Sequence, residues 1–161
     1  MSNTINIGMA EMAIVTSPHC VQTMGLGSCV GIVLYDLSQQ IAGMAHVMLP
    51  HAALASRQTT LVGKYANTAV VALVEQLCDQ RATLSRLQAK MAGGAEMFQF
   101  TSQDHMRIGP RNVEALKKEL QKLKIPLVAE DTGGHHGRTI AFQPATGKLF
   151  IKTIDQGATV L

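Results

Sequence analysis

Residues 29–49 read CVGIVLY-DLSQQ-IAGMAHVML, and this stretch decides the fold. Two apolar runs, 29–35 and 41–49, flank the polar segment 36–40, which is the form of a β-hairpin with a loop of several residues. Neither run alternates apolar with polar, so both faces of each strand are expected to be buried, and a layered structure follows. Hairpin geometry also fixes which residues can meet. If Tyr35 faces Gln40 across a loop 36–39, an ordinary hairpin length, the far end of the ladder sets Cys29 opposite His46. Opposed residues share a face with Cα atoms about 4.5–5.5 Å apart, so this register lays a thiol beside an imidazole. A one-residue slip would send them to opposite faces, and a three-residue loop is also allowed.

Working outward, residues 5–15 read as a strand broken by Thr16-Ser17-Pro18. Residues 59–80 carry Val62, Tyr65, Ala69, Leu73 and Leu77 at three- and four-residue steps, with Ala66, Val70 and Val74 widening the stripe, and predict a helix capped by Thr59 or Thr60. A strand over 87–92 ends at Gly93-Gly94. Asn112 reads as the cap of a second helix, 113–123, whose Glu114 and later lysines suit the helix dipole. Strands at 126–131, 138–143 and 148–154 complete the chain, the last two joined by Pro144-Ala145-Thr146-Gly147. The expectation is an α+β fold, a layered β-sheet sandwich flanked by two long helices, with residues 1–161 forming a single domain.

Composition narrows the function classes. Hydrophobic residues make up 47% of 161 residues, enough for a core without disulfide or metal staples. Three cysteines, Cys20, Cys29 and Cys78, show no paired spacing, so neither a disulfide framework nor a zinc site is expected. A net charge of +3 with 4% aromatics and no tryptophan disfavours nucleic acid. No apolar run is long enough to span a bilayer and no secretory leader opens the chain, so a cytoplasmic location is expected. His135-His136 lies in a loop, where an adjacent pair is usually just exposed, and no metal or cofactor is expected.

The chemistry concentrates in Thr23-Met24-Gly25-Leu26-Gly27-Ser28-Cys29, followed by His46. A neighbouring imidazolium can lower a thiol's pKa, and the resulting thiolate attacks carbonyl carbon. Gly25 and Gly27 permit a sharp turn that leaves backbone N–H groups from Gly27 through Ser28 to Cys29 free to stabilise an oxyanion. A third group must orient the imidazole, for which Thr23 and Asn112 are the candidates. Cys20 and Cys78 read as core filling.

The motifs TMGLGSCVGIVLYD, AHVMLP, AKMAGGAEMF, IGPRNV and DTGGHHGRTIAF…TGKLFIK occur in that order over about residues 5–154. Together they closely resemble the chemoreceptor glutamine deamidase (CheD) family. The resemblance implies a Cys-His-Thr triad, carried by Cys29, His46 and Thr23. It implies a cysteine-hydrolase fold similar to the catalytic domains of deamidating toxins. Its substrates are glutamines on the cytoplasmic helical bundle of methyl-accepting chemotaxis proteins, and in some bacteria its partner is the phosphatase CheC. An exposed apolar rim near the Cys29 turn is expected for docking on such a rod. The alternative reading is a regulatory module that binds receptors or CheC without turnover.

Overall fold

The computed structural model describes residues 2–52, 61–97 and 107–161. Among them, ten strands form two five-stranded mixed sheets. The first sheet has the order β1 (Thr4–Ile7), β3 (Cys20–Leu26), β8 (Arg138–Gln143), β9 (Lys148–Thr153), β10 (Gly157–Val160). The second has the order β2 (Met12–Thr16), β5 (Ile41–Val47), β4 (Val30–Asp36), β6 (Gln88–Gly93), β7 (Leu127–Thr132). Two helices, α1 (Ala66–Asp79) and α2 (Ile108–Lys122), cover one face of the second sheet.

The α+β class and the layering agree with the sequence. β4 and β5 are buried along their whole length. Ile32 and Leu34 of β4 pack with Leu73 and Leu77 of α1 and Leu116 and Leu120 of α2. Val33, Tyr35 and Met44 face the other way, against Val21, Ile140 and Phe142 of the first sheet. The hairpin is thus the middle layer of three, which is why neither of its runs alternates.

Several details differ from the expectation. The helices have 14 and 15 residues, about four turns each, and both lie on one side of the sandwich. Thr59 and Thr60 lie outside the described residues, and α1 starts after Tyr65. α2 begins at Ile108, earlier than expected, because Pro110 falls in its first turn, where a missing N–H costs nothing. Residues 5–15 form two strands in different sheets, parted by a turn in which Ala10 adopts φ +67°. β3 and β10 were not anticipated.

The hairpin register is also shifted. β4 pairs with β5 so that Gly31, not Cys29, stands opposite His46, and Asp36 opposite Ile41. The cause lies at the turn. Asp36 remains in the strand, its buried carboxylate accepting from Ser38 Oγ (2.6 Å), Thr83 N–H (3.2 Å) and Arg86 Nε (3.1 Å). The chain turns over the next four residues, Leu37, Ser38, Gln39 and Gln40, the last with φ +49°. Burial acts to raise the Asp36 pKa, but these donors and the Arg86 charge outweigh it and hold the carboxyl below its ordinary range.

Candidate active site

A two-residue shift keeps side chains on the same face. Cys29 lies one residue before the first β4 pair, Val30 with Val47, and so has no ladder partner of its own. Its side chain packs against the interlayer core, the core to which Ala42 and Met44, on His46's face of β5, also belong. Cys29 and His46 therefore border the same interlayer core, but they are not directly opposed, and no hydrogen bond joins Sγ to the imidazole among the described residues. Glycine gives close approach opposite His46, since a Cβ on Gly31 would sit 2.4 Å from Ile140 Cδ1 of the facing sheet, and that side chain would have to shift.

Thr23 reaches the imidazole from the other layer. It is buried in β3, and its Oγ1 lies 2.7 Å from His46 Nδ1 and 2.9 Å from Ile7 O. A carbonyl only accepts, so the single hydroxyl proton goes to Ile7. His46 must then carry its proton on Nδ1 and donate it to Thr23 Oγ1. That fixes the tautomer. Nε2 is left as a lone-pair acceptor, buried and without a hydrogen-bond partner among the described residues. An unpaired buried polar atom costs about 1–3 kcal/mol, a cost a purely structural histidine would avoid.

Residues 27–29 carry the chain from the first sheet to the second, between Leu26 of β3 and Val30 of β4. Just before the crossing, the ladder between β3 and β8 shifts register between Thr23 and Leu26, where Gly25 takes φ +74°. This left-handed backbone suits glycine. In the crossing itself, three successive carbonyls each have a donor. Gly27 O accepts from Ala95 N–H (2.9 Å), Ser28 O from Asn112 Nδ2 (3.0 Å), and Cys29 O from Gly94 N–H (2.9 Å). Gly93 adopts φ +113°, and a Cβ there would lie 2.3 Å from Cys29 O. The Gly27 N–H, expected to be free, bonds Gly25 O at 3.1 Å. Apart from the approach of the Cys29 N–H to its own thiol, the Ser28 and Cys29 N–H groups find no acceptor among the described residues.

The electrostatics correct one expectation. Burial pushes the Cys29 thiol above its ordinary pKa, only partly offset by its own backbone N–H. Burial pulls the His46 imidazole below its ordinary value. A resting thiolate–imidazolium pair is therefore disfavoured. The site rests as a neutral thiol and a neutral base, and proton transfer can accompany attack.

Asn112 does not touch His46. It is fully buried in α2, and its Nδ2 donates to Ser28 O and to Met48 O, each at 3.0 Å. Arg138, which the sequence reading missed, is buried on β8 and binds Gly93 O (3.4 Å), Gly133 O (2.9 Å) and Asp131 Oδ1 (3.3 Å). It ties the two glycine turns next to the crossing. An arginine one residue past a glycine-rich turn was the available signal. Beside the crossing, Met24 is 61% exposed and Met97 45% exposed, with Met97 packed on Gly27, which supplies apolar surface at the expected place. Among the described residues no group of three or more His, Cys, Asp or Glu side chains is placed to hold a metal. Among the same residues no helix is long and apolar enough to cross a membrane.

The family model described as CheD chemotactic sensory transduction matches residues 48–153. Curated relatives extend the similarity over Thr23, Cys29 and His46. A protein of Halalkalibacterium halodurans named chemoreceptor glutamine deamidase CheD is 53% identical over 98% of this chain and 98% of its own length. Proteins of the same name from Bacillus licheniformis and Bacillus subtilis are 50% and 47% identical, over 99% and 95% of this chain and 96% and 93% of their own lengths.

Proposed function

The chain belongs to the CheD family, and on that premise we propose that it is a chemoreceptor glutamine deamidase working through a Cys29–His46–Thr23 triad. The observation that carries this reading is the 2.7 Å bond from His46 Nδ1 to Thr23 Oγ1, which leaves Nε2 deprotonated, buried and without a partner among the described residues, next to the interlayer core that Cys29 also packs against.

Cys29 Sγ attacks the side-chain carboxamide carbon of a receptor glutamine while His46 Nε2 takes the thiol proton. The N–H groups of Ser28 and Cys29 stabilise the oxyanion. The imidazolium, held by Thr23, returns its proton to the departing nitrogen, and ammonia leaves a thioester. His46 then takes a proton from water, which attacks the thioester, and sulfur leaves with that proton to give glutamate and free enzyme. Gly25 shapes the bend, and Gly27 supports it through Ala95. No metal or organic cofactor enters a step. The product side chain gains a negative charge and becomes a carboxylate that can be methylated.

Residues 1–161 act as one unit in this reading, because the triad draws on both sheets. The cytoplasm is the compartment it requires, since the receptor bundle lies there. The arrangement of base and nucleophile on neighbouring strands, with the third group delivered from outside that sheet, supports a cysteine-hydrolase fold similar to deamidating toxin domains. The phosphatase CheC enters as a second partner through the family resemblance alone.

The test is incubation with cytoplasmic fragments of methyl-accepting chemotaxis proteins. Ammonia release and the amide-to-acid mass gain at particular glutamines are expected, and both should vanish in Cys29→Ala and His46→Ala. Full activity in either variant, or peptide cleavage in place of ammonia release, would overturn the reading.

A further inference from the structure

We propose that Asn112 is a positioning residue that aims the Cys29 N–H at the substrate oxygen by holding the Ser28–Cys29 peptide; this rests on Cys29 being the nucleophile. In a trans peptide the C=O and N–H point in opposite directions. Ser28 O is drawn into the protein body by Asn112 Nδ2, so the Cys29 N–H of the same peptide faces the other way. The preceding peptide is set in the same sense, because Gly27 O is held by Ala95 N–H and Ser28 N–H faces away. Within the crossing, neither of these two N–H groups has an acceptor outside its own residue among the described residues.

The three peptides of the crossing are not held alike. Gly27 O and Cys29 O bond main-chain N–H groups, which no side chain supplies. Ser28 O alone depends on a side chain. Were that peptide to flip, its carbonyl would enter the space where negative charge develops, and repulsion would replace stabilisation.

The chemistry of Asn112 fits this task better than a packing role. Its second N–H goes to Met48 O, two residues beyond His46, so a single amide joins the nucleophile's peptide to the exit of the base's strand. Two carbonyls converging on one point need two neutral donors, which a carboxamide has and a hydroxyl lacks. Both carbonyls only accept, so the amide orientation is fixed. Its Oδ1 is left buried with no partner among the described residues, while an apolar side chain of equal size would strand the two carbonyls that the amide satisfies.

The experiment compares two reactions of the same sulfur in wild type, Asn112→Leu and Asn112→Ser. Acylation by p-nitrophenyl acetate passes through an oxyanion, with the sulfur–acyl bond forming as p-nitrophenolate leaves. Alkylation by iodoacetamide is a displacement at saturated carbon and forms none. Each is followed at Cys29 by peptide mass spectrometry, which separates it from Cys20 and Cys78. Acylation should slow about 10-fold or more in Asn112→Leu, with alkylation within about twofold of wild type; Asn112→Ser should fall between. Parallel loss of both reactions, unchanged acylation, or loss of the folded circular-dichroism spectrum in both variants would overturn the proposal. Neither reaction needs a receptor, so a wild type that fails to deamidate receptor fragments would refute the functional reading while this comparison still decides the role of Asn112.

Discussion

Replacing Thr23 with valine tests the triad most directly, because valine keeps the shape and removes only the hydroxyl. Thr23 Oγ1 makes two bonds, donating to Ile7 O at 2.9 Å and accepting from His46 Nδ1 at 2.7 Å. Stranding a buried imidazole N–H costs about 1–3 kcal/mol, and losing the bond to Ile7 about 1 more, so a stability loss of about 2–4 kcal/mol is expected. The rate effect comes from the imidazolium that forms when His46 takes the thiol proton. Its Nδ1–H bond to Thr23 is then charge-assisted, worth about 1.5–3 kcal/mol, which converts to about a 10–100-fold fall in kcat. Thr23→Ser keeps the hydroxyl and should retain most of the activity. Ammonia release reports the rate, a urea melt the stability, and 15N chemical shifts of His46 the tautomer. A folded Thr23→Val protein with wild-type turnover and Nδ1 still protonated would refute the argument.

The pH profile should follow the two buried groups. His46 must be neutral to act as a base and its pKa is lowered, so the acid limb of kcat/KM should fall below the ordinary histidine value of about 6.5; a limb above it would contradict the neutral pair. The raised Cys29 pKa predicts alkylation at neutral pH slower than for an unperturbed thiol, with the rate still climbing above about pH 8.5. Asp36 has a lowered folded pKa, so its stabilisation is complete above the unfolded value of about 3.9 and is lost as pH falls through the folded value; Asp36→Asn should cost about 1.5–3 kcal/mol in a urea melt at neutral pH and flatten that acid dependence. Gly93→Ala places a Cβ 2.3 Å from Cys29 O at φ +113°, and should cut acylation of Cys29 even where the protein still melts cooperatively. Gly31→Ala should push Ile140 away from the seam and weaken the Thr23–His46 contact, with partial recovery of turnover in the double variant carrying Ile140→Val, since Ile140 Cδ1 is the atom in the way.

Much of the site was legible because a hairpin has few registers and a side-chain period of two. The common interlayer core of Cys29 and His46 survived a two-residue error in register for that reason. The error arose at Asp36, which looks like a turn residue but stays in the strand because Thr83 and Arg86, distant in sequence, satisfy it. Thr23 was beyond local reasoning. It reaches His46 from the opposite sheet, and only the family resemblance singled it out of the two candidates. β3 was hidden because its glycines suggest a turn, whereas Gly25 forms a bulge inside a strand. Asn112 carried a helix-cap signal, yet it sits inside α2 with its amide spent on tertiary carbonyls.

The hydroxyl that steadies His46 hangs from one slab of strands, and the ring it steadies from the other. Turnover is therefore a strain gauge for the fit between slabs. Mild heating or pressure that lets them slide by a fraction of an ångström should extinguish ammonia release while far-ultraviolet dichroism stays intact.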